Sequence, residues 1–217
     1  MMRIALLGAE STGKSTLAQA LERHWLDSGM AAQRIDEHLR EWCALHGRTP
    51  QPHEQIAIAA EQARRVQAVA AHIRVIADTT PLMTAVYSEL LFNDRSLYPM
   101  ALEHQRSYQV TLLAGLDLPW VPDGIQRDGP QVREPVDRLL RERLGEAGIA
   151  YRVVYGSGEE RLHNALLAID AAHARQGMAQ SGAVAARLDG QTRPWRCGKC
   201  SDPDCEHRLF SGLTGTT

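Results

Sequence analysis

The chain has 217 residues, a formal net charge of −2 and a hydrophobic fraction of 44%, which fits one globular domain with a buried core plus an extension. A chain that is not basic overall is a poor candidate for sequence-independent nucleic-acid binding, which depends on many Lys and Arg contacts to phosphate. No stretch approaches the roughly 20 apolar residues of a membrane helix, and the N-terminus lacks the apolar core of a signal peptide, so we expect a cytoplasmic protein without membrane contact.

The first predicted element is a buried strand at residues 3–8, which is short and apolar. The next segment, residues 8–15, matches the phosphate-binding pattern (Walker A) G-x-x-x-x-G-K-[ST] at every fixed position. A helical pattern follows it, in which Leu17, Leu21 and Trp25 recur every four residues. A strand, a glycine-rich turn and a helix in this order are typical of the start of an α/β domain.

The residue types of this loop suit the binding of a nucleoside triphosphate. The glycines let the backbone curl so that its N–H groups face phosphate oxygens, and the helix N-terminus adds partial positive charge. Lys14 neutralises the β- and γ-phosphates, the Ser15 hydroxyl binds Mg²⁺, and Thr16 supports the α-phosphate side. The predicted nucleotide-binding residues are Gly8, Glu10, Ser11, Thr12, Gly13, Lys14, Ser15 and Thr16.

The chain then alternates between predicted strands and predicted helices. The further strands are predicted at residues 33–37, 73–78, 109–114 and 151–155, and the helices at 38–45, 54–72, 84–92 and 159–172. This alternation indicates a doubly wound α/β fold of the P-loop NTPase type, with five mostly parallel strands flanked by helices. Because Ala, Gly, Ser and Gln dominate after about residue 176, we predict a kinase or ATPase domain at 1–176, a linker at 177–194 and a tail at 195–217.

Asp78 ends the predicted strand at 73–78 and is followed by Thr79 and Thr80. A P-loop enzyme needs a carboxylate near its metal, and ligands of open α/β sheets bind beyond the C-terminal ends of the strands. We therefore interpret Asp78 as a magnesium-associated or catalytic carboxylate. The alternative is a helix N-cap, since Asp and Thr both favour that position.

A second acidic segment follows the weaker strand at 33–37. Glu37 stands at the strand end, and Arg40 and Glu41 come one helical turn later. One interpretation is that these residues bind an acceptor molecule, with Glu37 or Asp78 taking the proton of its hydroxyl. The other interpretation is a solvated helix face with pairs of opposite charge.

Residues 124–145 form an arginine-rich segment. The overlapping stretch WVPDGIQRDGPQVRE at 120–134 has the features of a kinase lid. Its glycines supply hinges, and we expect Arg127 and Arg133 to be exposed there and to stabilise the charge on the transferred phosphoryl group. The other arginines of the segment are expected on a solvated helix face, paired with Asp137 and Glu142: Arg138, Arg141 and Arg143.

Four segments in this order resemble a known family: GAESTGKST at 8–16, EHLREW at 37–42, ADTTPLMT at 77–84 and LPWVPDGIQRDG at 118–129. They are similar to the nicotinamide riboside kinase domain of the bifunctional bacterial NAD-biosynthesis proteins and to related small AAA-type P-loop ATPases, over about residues 3–170. The resemblance implies a nucleoside-kinase-like P-loop fold that uses ATP and Mg²⁺ to phosphorylate the 5′-hydroxyl of a ribosyl nucleoside.

The resemblance also implies roles for residues of this chain. It places Asp78 at the family's carboxylate strand end, Arg127 in the lid, and the segment around Glu37 beside the acceptor. Thr80 stands where the family often has a second Asp. Since the chain begins at the P-loop strand, we expect it to lack the adenylyltransferase domain of the bifunctional proteins, and its cysteine tail is no part of the family pattern.

The C-terminal tail carries three thiols and an imidazole within eleven residues: Cys197, Cys200, Cys205 and His207. Four such ligands suit a structural tetrahedral Zn²⁺, which would hold together a segment too short to build its own core. The spacing of the last two is tight, so His46, His53 or another distant group is an alternative fourth ligand, and a tail with incidental cysteines is the alternative to any metal.

Together these features predict a magnesium- and ATP-dependent small-molecule kinase whose acceptor is a nucleoside such as nicotinamide riboside. The alternative is a nucleotide-dependent ATPase or GTPase switch that contacts a partner through a zinc-binding tail. Acceptor dependence separates the two, because a switch hydrolyses nucleotide slowly whether or not an acceptor is present.

Overall fold

The computed structural model describes residues 2–121 and 129–185, in which strands and helices alternate. The elements are β1 (Arg3–Leu7), α1 (Lys14–Asp27), β2 (Ala32–Ile35), α2 (His38–His46), α3 (Gln55–Gln67), β3 (Arg74–Asp78), α4 (Pro81–Phe92), α5 (Tyr98–Gln105), β4 (Val110–Ala114), α6 (Arg133–Glu146), β5 (Arg152–Val154) and α7 (Gly158–Ala185). Residues up to Arg175 form one compact unit, and a second unit begins at Gln176. No helix among the described residues has the length and apolar character needed to cross a membrane.

The five strands form a single parallel sheet in the order β2-β3-β1-β4-β5. The central strand β1 lies between β3 and β4, and its residue Leu6 is in register with both Asp78 and Leu112. Because parallel strands end at one edge of a sheet, the segments that follow β1, β2 and β3 meet there. The predicted five-stranded α/β fold is therefore confirmed.

Apolar side chains from alternating strand positions form the core on both faces of the sheet. On one face, Leu21 of α1 and Ile169 of α7 pack around Ile4. On the other face, Leu140 of α6 packs around Leu7 together with residues of α4 and α5. This packing holds the C-terminal edge of the sheet as a rigid support for the loops.

Several helices begin or end at residues other than the predicted ones, because local capping and tertiary packing determine where a helix ends. α4 begins at Pro81 rather than at residue 84, because the Thr80 hydroxyl accepts a hydrogen bond from the Leu82 N–H at 3.3 Å and Pro81 suits the first helical position. α5 was not predicted, since its eight residues show no clear apolar period. α7 continues to Ala185, into the range for which we predicted a linker, and the domain boundaries stay predictions.

Candidate active site

The segment between β1 and α1 is a tightly curled loop that requires glycine at two positions. Gly8 has φ 142°, and a Cβ there would lie 3.1 Å from both Ala114 Cβ and Thr12 Oγ1. Gly13 has φ 74°, and a Cβ there would lie 2.8 Å from Leu118 Cδ1. Since a side chain is strained at these φ values and meets close neighbours, the backbone takes this path only with glycine.

Side chains of the loop hold its curled shape from within. The Thr12 hydroxyl and the Lys14 ammonium both donate to the Ala9 carbonyl, each at 2.7 Å. The Ser11 hydroxyl donates to the Val121 carbonyl at 2.7 Å and accepts from the Val121 N–H at 3.1 Å, which attaches the loop to the segment that follows β4. The loop thus presents its backbone N–H groups at the start of α1, the arrangement that binds phosphate.

Asp78 lies beside this loop with a buried carboxylate. It is 3% exposed, and its Oδ1 has no hydrogen-bond partner among the described residues. Together with Ser15, Asp36 and Glu37 it lines a small cavity of about 290 Å³ at the edge of the sheet. A carboxylate oxygen without a partner close to a hydroxyl is a donor set that suits Mg²⁺.

A magnesium ion that is bound with a nucleotide takes few of its ligands from the protein. Within the described part of the chain, no group of three or more His, Cys, Asp or Glu is arranged to hold a metal ion. Mg²⁺ in phosphate-transferring proteins keeps several waters and is bound through one or two carboxylates plus the phosphates, so it needs no such group. The residues present therefore fit Mg²⁺ bound with a nucleotide.

A larger cavity of about 790 Å³ extends from the loop toward α2 and α4. Its phosphate end is lined by residues 10–16. The opposite wall consists of residues from α2, the segment after it, and the starts and faces of α3 and α4: Glu37, Leu39, Arg40, Cys43, Arg48, Thr49, Pro50, Gln51, Pro52, Gln55, Tyr87, Leu91 and Phe92. One continuous space thus joins the phosphate loop to residues of α2, α3 and α4.

Some residues of the acidic segment at the start of α2 line this cavity, and others lie at the surface. Glu37 occupies the N-cap position of α2, its side chain is 15% exposed, and its carboxylate lies 3.6 Å from the Arg40 guanidinium. Both residues line the larger cavity. Glu41 lines only the smaller one and forms an ion pair with Arg65 at 2.7 Å. The structure therefore brings Glu37 and Arg40 to the site and ties Glu41 into a surface ion pair, and the acceptor role of all three stays a prediction.

The walls of the larger cavity include residues that the sequence analysis did not single out. Tyr87 and Phe92 present aromatic rings from α4, and Gln55 contributes from the first position of α3. Gln55 is 2% exposed, and its Oε1 has no hydrogen-bond partner among the described residues. The sequence signal was the mostly apolar composition of α4, which indicates burial but not a cavity wall.

Cys43 of α2 is buried and also lines the larger cavity. Burial raises the pKa of its thiol, and the nearby carboxylate of Glu37 adds to this effect. The thiol is therefore protonated at neutral pH and poorly suited to act as a nucleophile.

The structure describes only one of the two predicted lid arginines, because Arg127 lies outside the described residues. Arg133 begins α6 and is 7% exposed, so the expectation that it is exposed was wrong. Its Nη2 donates to the Leu116 carbonyl at 3.3 Å, because the first turn of α6 packs against the segment after β4. Whether Arg133 contacts a transferred phosphoryl group stays a prediction.

Arg141 and Arg143, which come later in α6, form ion pairs with different kinds of partner. Arg141 pairs with Asp137 at 2.7 Å, as expected. Arg143 instead crosses to Glu89 of α4 at 2.7 Å and is mostly buried, which corrects the expectation of a solvated residue. It therefore contributes to packing between α4 and α6.

The four predicted zinc ligands Cys197, Cys200, Cys205 and His207 lie outside the described residues. Of the alternative histidines, His46 stacks on Trp42 with ring centroids 3.9 Å apart, and His53 is exposed. The zinc site stays a prediction.

The chain is similar to known proteins over the part that carries this site. A family model described as an AAA domain matches residues 3–161. The fold resembles two structures of NadR protein, one in complex with NAD and AMP-PNP and one with NR, each with a TM-score of 0.59. The sequence identities are 20% and 22%, and the matches cover 77% and 79% of this chain but only 48% and 50% of those chains.

A second structural relative is a deoxyadenosine kinase from M. mycoides, solved with dCMP as product and a flexible dCDP. It has a TM-score of 0.54 and 12% identity, and the match covers 78% of this chain and 99% of that chain. At these identities the likeness shows the fold alone, and the chain spans about half the length of the NadR proteins it matches. No curated protein sequence matches the chain. The similarity to the predicted family is confirmed at the level of a small P-loop kinase-like domain.

Proposed function

Because the chain belongs to the AAA domain family, whose model matches residues 3–161, we propose that it is a magnesium- and ATP-dependent kinase acting on a small molecule. Its acceptor is a nucleoside such as nicotinamide riboside, phosphorylated at the 5′-hydroxyl. The observation that carries this proposal is the continuous cavity of about 790 Å³ that joins the phosphate loop to a wall of polar and aromatic side chains. A nucleotide-hydrolysing switch needs no such second compartment, whereas a kinase must hold two molecules in contact.

The donor side of the site would bind the triphosphate. The loop N–H groups and the Lys14 ammonium hold the β- and γ-phosphates, with Lys14 leaving the Ala9 carbonyl that it contacts at 2.7 Å. The Ser15 hydroxyl and Oδ1 of Asp78, which has no partner among the described residues, would hold Mg²⁺, which neutralises charge on the phosphate oxygens when it is bound. Little covalent chemistry is required of the protein, so positioning and electrostatics supply the rate.

The acceptor side would align a hydroxyl with the γ-phosphorus. Glu37 lines both cavities, which favours it over Asp78 as the group that accepts the hydroxyl proton. The acceptor oxygen forms a bond to the γ-phosphorus as the bond to the bridging β–γ oxygen breaks, and ADP leaves. Arg40, 3.6 Å from Glu37, places a positive charge beside that carboxylate at the wall of the larger cavity.

The wall formed by α3 and α4 suits a flat ring with polar substituents. Tyr87 and Phe92 supply aromatic surface, and the buried Oε1 of Gln55 supplies a hydrogen-bond acceptor that no described residue uses. The structural relatives support a nucleoside in this place, because the NadR protein was solved with NR and the other relative is a deoxyadenosine kinase.

The proposal is tested by ADP release from Mg²⁺-ATP, and from Mg²⁺-GTP, against a panel of nucleosides with nicotinamide riboside included. We expect one nucleoside to raise the rate from a low background to roughly 1–100 turnovers per second, and the Lys14→Ala variant to lose this activity. The Arg141→Met variant, altered at the outer face of α6, serves as a control that keeps it. A slow rate that no nucleoside changes would refute the kinase and favour the nucleotide-dependent switch.

A further inference from the structure

Arg161, in the first turn of α7, is a buried arginine that contacts the phosphate loop from behind. It is 3% exposed and lines neither of the two cavities described above. Its Nη2 donates to the Thr12 carbonyl at 2.7 Å, and its Nη1 donates to the Gly156 carbonyl at 2.7 Å. The same Nη1 lies 3.4 Å from Asp117 Oδ1. One guanidinium thus joins the segments that follow β1, β4 and β5.

The bond to Thr12 determines how one peptide of the loop is oriented. In a planar trans peptide the C=O and the next N–H point in opposite directions. Since the Thr12 carbonyl is directed to Arg161, which lines neither cavity, the N–H of Gly13 is directed to the opposite side, and Gly13 itself lines the larger cavity. Gly13 has φ 74°, in the left-handed region, and glycine has the widest choice of backbone conformations. The hydrogen bond from Arg161 therefore selects the orientation in which the Gly13 N–H can donate to a phosphate oxygen, before the nucleotide binds.

The charge of Arg161 also lies close to the loop. Its Nε is 3.9 Å from the position that a Cβ on Gly13 would occupy. The compensating carboxylate of Asp117 is partly exposed, at 30%, and accepts a second hydrogen bond from the Gly156 N–H at 2.7 Å. A buried guanidinium held mainly by two carbonyls is costly to fold, and its positive charge adds to that of Lys14 and of the α1 N-terminus.

We propose that Arg161 is a positioning residue of the nucleotide site, which orients the Thr12–Gly13 peptide and places a positive charge behind the phosphate loop. This inference rests on the proposed binding of a nucleotide at that loop. Thr12 and Arg161 are 149 residues apart in the chain, so no local pattern points to the contact.

The test is the dissociation constant of Mg²⁺-ADP, measured by calorimetry on the full chain. Arg161→Met should weaken binding about tenfold or more, since it removes two charge-assisted hydrogen bonds and a buried charge. Arg161→Lys keeps the charge but cannot hold both carbonyls, and should fall between the wild type and Arg161→Met. The KM for the acceptor should stay within about twofold in both variants, because Arg161 does not line the acceptor wall.

The matched control is Arg143→Met, which removes another mostly buried arginine, with its partners on α4 and α6. It should lower thermal stability while leaving the Mg²⁺-ADP constant unchanged. Arg161→Met with wild-type affinity would overturn the inference, and so would an equal loss of affinity in Arg143→Met. If Arg161→Met does not fold, Arg161→Lys decides, and wild-type affinity in that variant overturns the inference. Wild-type protein that binds no Mg²⁺-ADP would refute the proposed function itself, and the inference with it.

Discussion

Thr80 connects the end of β3 to the start of α4 through a chain of buried hydrogen bonds. Its hydroxyl donates to Gln105 Oε1 at 2.7 Å and accepts from the Leu82 N–H at 3.3 Å, and Gln105 Nε2 donates to the Thr111 hydroxyl at 2.9 Å. Thr80 is 1% exposed, so none of these groups exchanges its partner for water. Thr80→Val keeps the shape of the side chain and removes only the hydroxyl.

The cost of this substitution can be worked out from these contacts. Loss of the N-cap costs about 1 kcal/mol. Gln105 Oε1 is then buried without its donor, which costs about 1–3 kcal/mol. We therefore expect Thr80→Val to lower the free energy of unfolding by about 2–4 kcal/mol, a large part of the stability of a domain of this size.

Urea denaturation followed by circular dichroism measures this loss, with Thr49→Val as the control. Thr49 is exposed, and its substitution should change the free energy of unfolding by less than about 0.5 kcal/mol. In the double variant Thr80→Val/Gln105→Met both partners are removed, so its loss should be smaller than the sum of the two single losses. A loss below about 1 kcal/mol in Thr80→Val, with an unchanged m value, would contradict the role assigned to this network.

Four further results are expected. Lys14→Ala should abolish acceptor-dependent ADP release while its circular dichroism spectrum stays that of the wild type; activity that survives would exclude the mechanism. Asp78→Asn should raise the Mg²⁺ concentration for half-maximal activity about tenfold, and an unchanged magnesium titration would remove Asp78 from the metal site. Burial alone would raise the pKa of Glu89, but hydrogen bonds from Arg143 and Tyr98 outweigh it and hold that pKa below its usual value. Its ionisation therefore contributes stability above about pH 4.3 that is lost as pH falls through the lowered pKa, so urea denaturation below that pH should show a steeper decline in the wild type than in Glu89→Gln. Elemental analysis of purified protein should find one zinc per chain if the cysteine tail binds metal, and Cys200→Ser should lose it.

The sequence by itself was enough to recognise the phosphate loop, because the pattern that identifies it is local. A buried strand, two glycines at fixed spacing and a helix that begins at Lys14 stand next to one another in the chain, whereas the contacts of Ser11 with Val121 and of Thr12 with Arg161 come from the tertiary structure. The position of Asp78 was predictable for a related reason, since a buried apolar run that ends in a carboxylate indicates a strand with that residue at its C-terminal end, and its role at the metal stays a prediction. The order of strands and helices likewise indicated the α/β fold.

The tertiary structure decided which other side chains reach the site. Gln55 and Phe92 line the cavity only because α3 and α4 pack beside the phosphate loop. The sequence pattern of their own segments predicts a helix and gives no sign of a cavity wall. Arg133 looked exposed in a glycine-rich segment, yet the packing of α6 buries it. Arg161 reaches Thr12 across 149 residues. The physical reason is that periodicity and capping act over one or two turns of chain, whereas cavity walls and buried charges are set by how distant elements pack, which no local pattern records.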